Sequence, residues 1–286
     1  MRQLNVAGHL MAVRAYNVDK KGIPSIFIHP FATSIAFWEP VQIPLIKNNL
    51  PWYSLSLPGH YPGNFKVGFT RADMTAENLA AIVQGAITQL VGDTPFIVAG
   101  VSGGAFMALN VASHYPQQIA GVVSISGFAY GDWIRQLQPL RVRIAYPIVM
   151  TLYHRYLSRS VHSFRKVSYK NIFDLDKTRT ENAELDAIID AVYPDYQKLS
   201  GRMLSLYSQS LPDMDIRDTL PHIKSPVLVL NGEKDPIIPP RQSQIILDHL
   251  PNAEHIEFKG VGHFPMWENP SAYQHVMSVW FQRGLA

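Results

Sequence analysis

Phe96-Ile97-Val98-Ala99-Gly100-Val101-Ser102-Gly103-Gly104 is a short apolar run ending in a serine set among glycines, and from Gly104 to Tyr115 apolar positions recur at three and four. A run of strand length followed by helical periodicity places Ser102 on a strand-to-helix turn. Such a turn strains the backbone at its central residue and tolerates only small neighbours, which Gly100 and Gly104 supply. The hydroxyl is thereby presented at the carboxyl end of a sheet, where open α/β sheets take their ligands.

The same rhythm extends outward from this stretch. Gly22 to His29, Trp52 to Leu57 and Gly121 to Ser126 are apolar runs bounded by Gly, Pro or Asp and suit buried parallel strands, while Ala76 to Val91 has helical periodicity. The rhythm stops after Gly127, where a long block with helical periodicity follows. It resumes with strands at Ser225 to Gly232 and Glu254 to Phe258 and helices at Gln242 to His249 and Ser271 to Arg283. Strands alternating with helices predict an α/β fold with a doubly wound, mostly parallel sheet. The helical block between its halves predicts an inserted lid: core 1–131, lid 132–215, core 216–286.

Composition narrows the chemistry. At 286 residues, 47% hydrophobic and 16% charged, the chain is globular with ample material for a sheet covered on both faces. It has no cysteine, which excludes disulfides, thiolate metal sites and thiol nucleophiles. Met1 to Asn17 lacks the features of a signal peptide, so a cytoplasmic protein is expected. Ile144 to Tyr153 falls far short of the roughly 20 apolar residues that span a bilayer.

A serine hydroxyl needs a base, and histidine suits the task. His263 lies in Gly260-Val261-Gly262-His263-Phe264-Pro265, a glycine-rich loop between the last strand and last helix that can carry an imidazole over the sheet edge. His9, His114, His222, His249 and His275 lie in strand or helix contexts and are read as surface or capping residues. The imidazole needs a carboxylate to fix its tautomer. Asp235 directly follows an apolar strand and completes the order serine, acid, histidine; Glu233 and Asp132 are alternatives. Developing negative charge needs donors, for which the backbone N–H groups of Gly103 and Phe31 are the candidates, because Pro30 has none. Phe31, Phe128, Ile237 and Phe264 are the expected substrate contacts, and no cofactor or metal is expected.

These residues resemble the α/β-hydrolase superfamily in its lidded branch of esterases and C–C hydrolases, from about Leu4 to Gln282 outside the lid. His29-Pro30-Phe31 with Trp38 is similar to that branch's oxyanion loop, Leu57-Pro58-Gly59-His60 to its Pro-Gly-His loop, and Gly232 to Pro239 and Gly262-His263-Phe264-Pro265 with Glu268 and Pro270 to its acid and histidine loops. Pro30 stands where glycine is usual, and Tyr61 follows Pro-Gly-His where glycine is commoner. A serine at 102 argues against the dehalogenase and epoxide hydrolase chemistries, which use a carboxylate nucleophile in this fold. The motifs specify fold far better than substrate.

Net charge is +3, unevenly spread: Trp133 to Phe173 holds eight Lys/Arg and no Asp/Glu, leaving 17 basic against 22 acidic residues elsewhere. From Pro147 a helix is predicted with Met150, Tyr153, Leu157, Val161 and Phe164 on one face and Arg155, Arg159, His162 and Lys166 on another. The basic face is either a solvated lid surface or an attraction for an anionic substrate or membrane surface. The expected partner is a small-molecule substrate, with no nucleic acid. Three functions fit: hydrolysis of a carboxylic ester or thioester of an apolar acyl group; the same residues used for C–C hydrolysis, acyl transfer or cofactor-free perhydrolysis; and a ligand-binding receptor with little turnover.

Overall fold

A computed structural model describes residues 1–136, 148–149, 151–152, 154–156 and 158–284. Eight strands form one sheet in the order β1-β2-β4-β3-β5-β6-β7-β8. They are β1 (Arg2–Val6), β2 (His9–Tyr16), β3 (Ser25–Ile28), β4 (Trp52–Leu55), β5 (Phe96–Val101), β6 (Ile119–Ile125), β7 (Val227–Gly232) and β8 (Glu254–Phe258). Pairing is parallel from β4 through β8, so the predicted mostly parallel α/β sheet is the one observed. β3, β5 and β7 are buried along their whole length, which is why they read as unbroken apolar runs.

The antiparallel edge, β1 with β2 and β2 with β4, was not anticipated. Its turn is Ala7-Gly8, both at positive φ (49° and 86°), as a tight two-residue hairpin requires. Only Leu4 and Val6 of β1 are buried, so its apolar signal is weak.

Helices Ala76–Val91 and Gly103–His114 lie where periodicity placed them, the second starting directly after Ser102. Between β6 and β7 the described chain is helical, with Val161–Ser168, Leu185–Tyr196 and Gly201–Ser210 as its main elements. Its two crossings pair at the base: Gly131 N–H donates to Met214 O (2.8 Å) and Ile216 N–H to Ala129 O (2.9 Å). Arg165 ties Val161–Ser168 to Leu185–Tyr196 through Asp190 (Nε–Oδ1 2.7 Å) and Asp186 (3.3 Å).

The single helix predicted from Pro147 is interrupted. Residues 154–156 are helical, 158–159 form a turn, and Ser160 starts a new helix by accepting Ser163 N–H at 3.1 Å. The serine cap ends the periodic face that a continuous helix would carry. Pro147, Met150, Tyr153 and Leu157 lie outside the described residues. Arg155, Arg159, His162 and Lys166 are exposed. No helix among the described residues is long and apolar enough to cross a membrane.

Two glycines let the helix after β5 sit on the end of the sheet. A Cβ on Gly100 would lie 2.1 Å from Gly104 O, and one on Gly104 would lie 2.3 Å from Ile28 O. The Gly104 carbonyl belongs to the turn and the Ile28 carbonyl to the end of β3, so both are held by main chain. We therefore expect Gly100→Ala to lower unfolding stability by about 3 kcal/mol, whereas Gly201→Ala, whose new methyl would meet only the Thr151 side chain at 3.3 Å, should change it by less than about 1 kcal/mol. Denaturant midpoints of the two variants check this, and equal midpoints would contradict it.

Candidate active site

Ser102 sits at φ 56°, ψ −118°, a backbone conformation that costs a non-glycine residue of order 1–3 kcal/mol. The turn is held from both sides. Ser102 N–H donates to Ile125 O (2.9 Å) at the end of β6, and its carbonyl accepts Phe106 N–H (3.0 Å) as the first bond of the helix. Gly103 opens that helix, so its N–H is one of those a helix leaves unpaired at its positive end.

The loop after β3 faces Gly103. A Cβ on Gly103 would stand 3.3 Å from Phe31 N, so the two predicted donors are close neighbours. With Pro30 in place of glycine, the left-handed residue of this loop is Ala32 (φ 57°). Two buried histidines fix the loop. His29 Nδ1 bonds Pro30 O (2.8 Å), and its Nε2 accepts Leu57 N–H (3.1 Å). His60 Nε2 accepts Ala32 N–H at 3.3 Å. Burial pulls the His29 imidazole down to about 4 against the opposing Pro30 bond. His60 is held well below its ordinary value by burial first and by His29 second. Both rings are thus neutral near pH 7 with Nε2 as acceptor. Sequence reasoning assigned neither this role, because their partners are main-chain groups of two distant loops.

His263 Nδ1 meets Asp235 Oδ2 at 2.7 Å, with both side chains 2% exposed. Asp235 Oδ1 accepts the N–H groups of Ile237 (2.8 Å) and Ile238 (2.9 Å), leaving Oδ2 for the imidazole. The acid and histidine loops are zipped by Glu233 N–H to Phe258 O (3.0 Å) and Lys234 N–H to Val261 O (2.9 Å). Their contact is so close that a Cβ on Gly232 would lie 1.9 Å from Gly262 O. Glu233 turns away to Lys234 and Lys259 and caps Gly260 N–H. Asp132 is exposed at the start of helix Asp132–Gln136. Of the three carboxylates considered, Asp235 is the one against the histidine. One reading needs correction: His9, taken as a surface or capping residue, is 3% exposed and packs edge-on against Phe65 and Phe69.

Two cavities meet at Ser102. One, of about 250 Å³, is lined by Ser102, His263 and Phe264 and by Phe164, Ile189 and Val192 of the helical insert. The other, of about 360 Å³, is lined by Ser102, Gly103, Phe128, Trp133, Ile134 and Ile238. Phe31 and Ile237 border both. All four predicted substrate contacts therefore lie on cavity walls; the insert residues were missed, because periodicity identifies a buried face but not what it covers. No Lys, Arg, Asp or Glu is among the described lining residues. Among the described residues no group of His, Asp and Glu is placed to hold a metal.

A protein-family model described as alpha/beta hydrolase fold matches residues 26–270. The chain belongs to the α/β-hydrolase fold family. It is similar to a pimeloyl-[acyl-carrier protein] methyl ester esterase of Vibrio vulnificus (24% identical, covering 91% of this chain and 94% of that one). It is also similar to a 2-hydroxy-6-oxo-6-phenylhexa-2,4-dienoate hydrolase of Burkholderia cepacia (23%; 69% and 66%). The enol-lactonase structure from Burkholderia xenovorans LB400 superposes with a TM-score of 0.75 at 18% identity, covering 99% of this chain and 100% of that one. This α/β-hydrolase is accordingly an enzyme.

Neutral His29 makes folding pH-dependent with a definite sign. The unfolded imidazole binds a proton below about 6.5 and the folded one only below about 4, so stability is full above the first value and is lost as pH falls toward the second. The loss is on the order of 3 kcal/mol for His29 alone, and His60 adds in the same direction. His29→Asn, which does not titrate, should flatten the dependence of the denaturant midpoint on pH between 6.5 and 4. An unchanged slope would contradict the assignment.

Proposed function

We propose that the chain is a serine hydrolase cleaving a carboxylic ester or thioester of a small or medium apolar acyl group through an acyl-enzyme on Ser102. The observation that carries this reading is the buried 2.7 Å pair of His263 with Asp235, in which His263 lines a cavity that Ser102 also lines. His263 Nε2 takes the Ser102 proton as Oγ attacks the carbonyl carbon, and Asp235 stabilises the imidazolium. The N–H groups of Gly103 and Phe31 receive the developing oxyanion. Collapse of the tetrahedral intermediate breaks the bond to the leaving oxygen or sulfur, which takes the proton back from His263. Water, deprotonated by His263, then releases the acid and restores Ser102.

Proton return sets the orientation. The leaving group must depart on the imidazole side, so the cavity lined by His263 takes the alcohol or thiol, and the cavity lined by Gly103 takes the acyl chain. The insert 132–215 serves as the lid, since Phe164, Ile189 and Val192 wall the first cavity. Apolar walls favour a neutral ester over a substrate carrying a carboxylate beside the scissile bond.

Ser102→Ala should abolish labelling by an organophosphonate and lower turnover of p-nitrophenyl butyrate by at least about 10³-fold. Asp235→Asn should lower turnover about 10³–10⁴-fold, because it frees the imidazole to adopt the wrong tautomer; Asp132→Asn should stay within about two-fold. A crippled Asp132→Asn with an active Asp235→Asn would move the acid to the loop after β6.

The exposed Arg155, Arg159 and Lys166 support a second element of the reading, recruitment of an anionic partner such as an acidic acyl carrier or lipid surface. Reversing all three to Glu should leave hydrolysis of the neutral ester within about two-fold while removing the salt dependence of turnover on an anionic thioester. Equal salt dependence in wild type for neutral and anionic substrates, with no binding to anionic vesicles, would leave a merely solvated surface.

A further inference from the structure

Three consecutive amides around His263 find their acceptors outside their own loop. Gly262 N–H donates to Glu268 Oε2 (2.8 Å), Phe264 N–H to Glu268 Oε1 (3.3 Å), and His263 N–H to Asn171 O (3.0 Å). The same Oε2 accepts Phe173 N–H at 2.9 Å. Asn171 and Phe173 belong to the helical insert, so one carboxylate and one carbonyl join the histidine loop to it. Gly262 marks the junction: a Cβ there would stand 2.9 Å from Asn171 O, from Glu268 Oε1 and from Phe173 N alike.

Glu268 is 4% exposed, and no Lys or Arg pairs with it among the described residues. A buried carboxylate without a cation is costly unless hydrogen bonds satisfy it, and these three amides do so. Burial raises its pKa, with the three amides and then His263 opposing. The core holds His263 from the other side, through Ser126 Oγ to His263 O (2.8 Å) and through Asp235. Undocking residues 171–173 would therefore remove the anchor on the His263 amide and one of the three donors that keep Glu268 in place.

We propose that Glu268 is a positioning residue that couples His263 to the docked insert, so that the base is set for proton transfer only while residues 171–173 are seated. The inference rests on His263 being the general base. It assigns the insert a second task beside walling the cavity: closure completes the reacting geometry, and an open insert leaves a poorly set base.

Glu268→Gln and Phe173→Pro cut the same link from opposite ends. Gln is isosteric but turns an NH2 group toward one donor, whereas Pro removes the donor at 173, and Ile172 already has the extended backbone (φ −97°, ψ 132°) that a residue before proline adopts. With p-nitrophenyl butyrate as probe, each variant should lose about ten-fold in kcat with KM within two-fold, and the double variant should lose no more than the worse single one. The proton between His263 Nδ1 and Asp235 Oδ2, read as the lowest-field signal of the 1H spectrum, should shift or broaden in both. Phe173 is exposed, so its variant keeps the test available should Glu268→Gln fold poorly. Single-variant kcat within two-fold of wild type, losses that multiply in the double variant, or an unmoved low-field signal would each overturn the coupling. A failed reading of the site has a different signature, a wild-type protein that the organophosphonate does not label at Ser102.

Discussion

The close approach of Gly100 to the Gly104 carbonyl is the constraint on which the site depends. It lets the chain reverse from β5 into a helix within a single residue and drives that residue, Ser102, to φ 56°. With any side chain at either glycine, the helix would stand off the sheet, and Gly103 would leave the neighbourhood of Phe31. The strain at Ser102 is offset by bonds the turn itself creates, one to β6 and one into the helix. Strained backbone persists only where its surroundings over-determine it, as they do at Ser102.

Everything else in the site hangs from loops that leave the same edge of the sheet, and those loops are held by main-chain polar groups more than by side-chain pairs. His29, His60 and Glu268 are ionisable residues buried against amides and carbonyls of neighbouring loops. A neutral imidazole serves well in such a place, since it donates from one nitrogen and accepts at the other without bringing a charge into low dielectric. Tyr207 adds a link from the insert, donating to Pro58 O at 3.0 Å and packing its ring against Phe31.

Legibility in the sequence followed the punctuation of the chain. Ser102 and Asp235 each lie beside glycine or proline closely after an apolar run, and His263 lies in a glycine-rich loop between the last strand and the last helix, so the turns that carry them were readable, and the structure brings these residues to one edge. The hairpin Arg2–Tyr16 was not readable, because half of β1 faces solvent and its turn is Ala-Gly with no Asn or Asp to announce it. The break at Ser160 carried a local signal, a serine three residues before its N–H partner, that the apolar spacing of Val161 and Phe164 outweighed. Glu268 and the two histidines were visible only as motif letters. Their work consists of contacts to amides up to 95 residues away in sequence, which no local pattern encodes.

The insert gives the site its medium as well as its walls. Two N–H donors and an imidazole–carboxylate pair act weakly in water and strongly where water is excluded and the surroundings are apolar. Phe164, Ile189 and Val192 supply that exclusion from one element, and Phe31 and Ile237 from the core. The same element also accepts the His263 amide at Asn171. On the proposed mechanism, exclusion of water and placement of the base are therefore mechanically linked, which would suit a hydrolase: a nucleophilic serine exposed before the substrate is enclosed would stand beside bulk water with its base out of register, and enclosure would bring both into the reacting arrangement together.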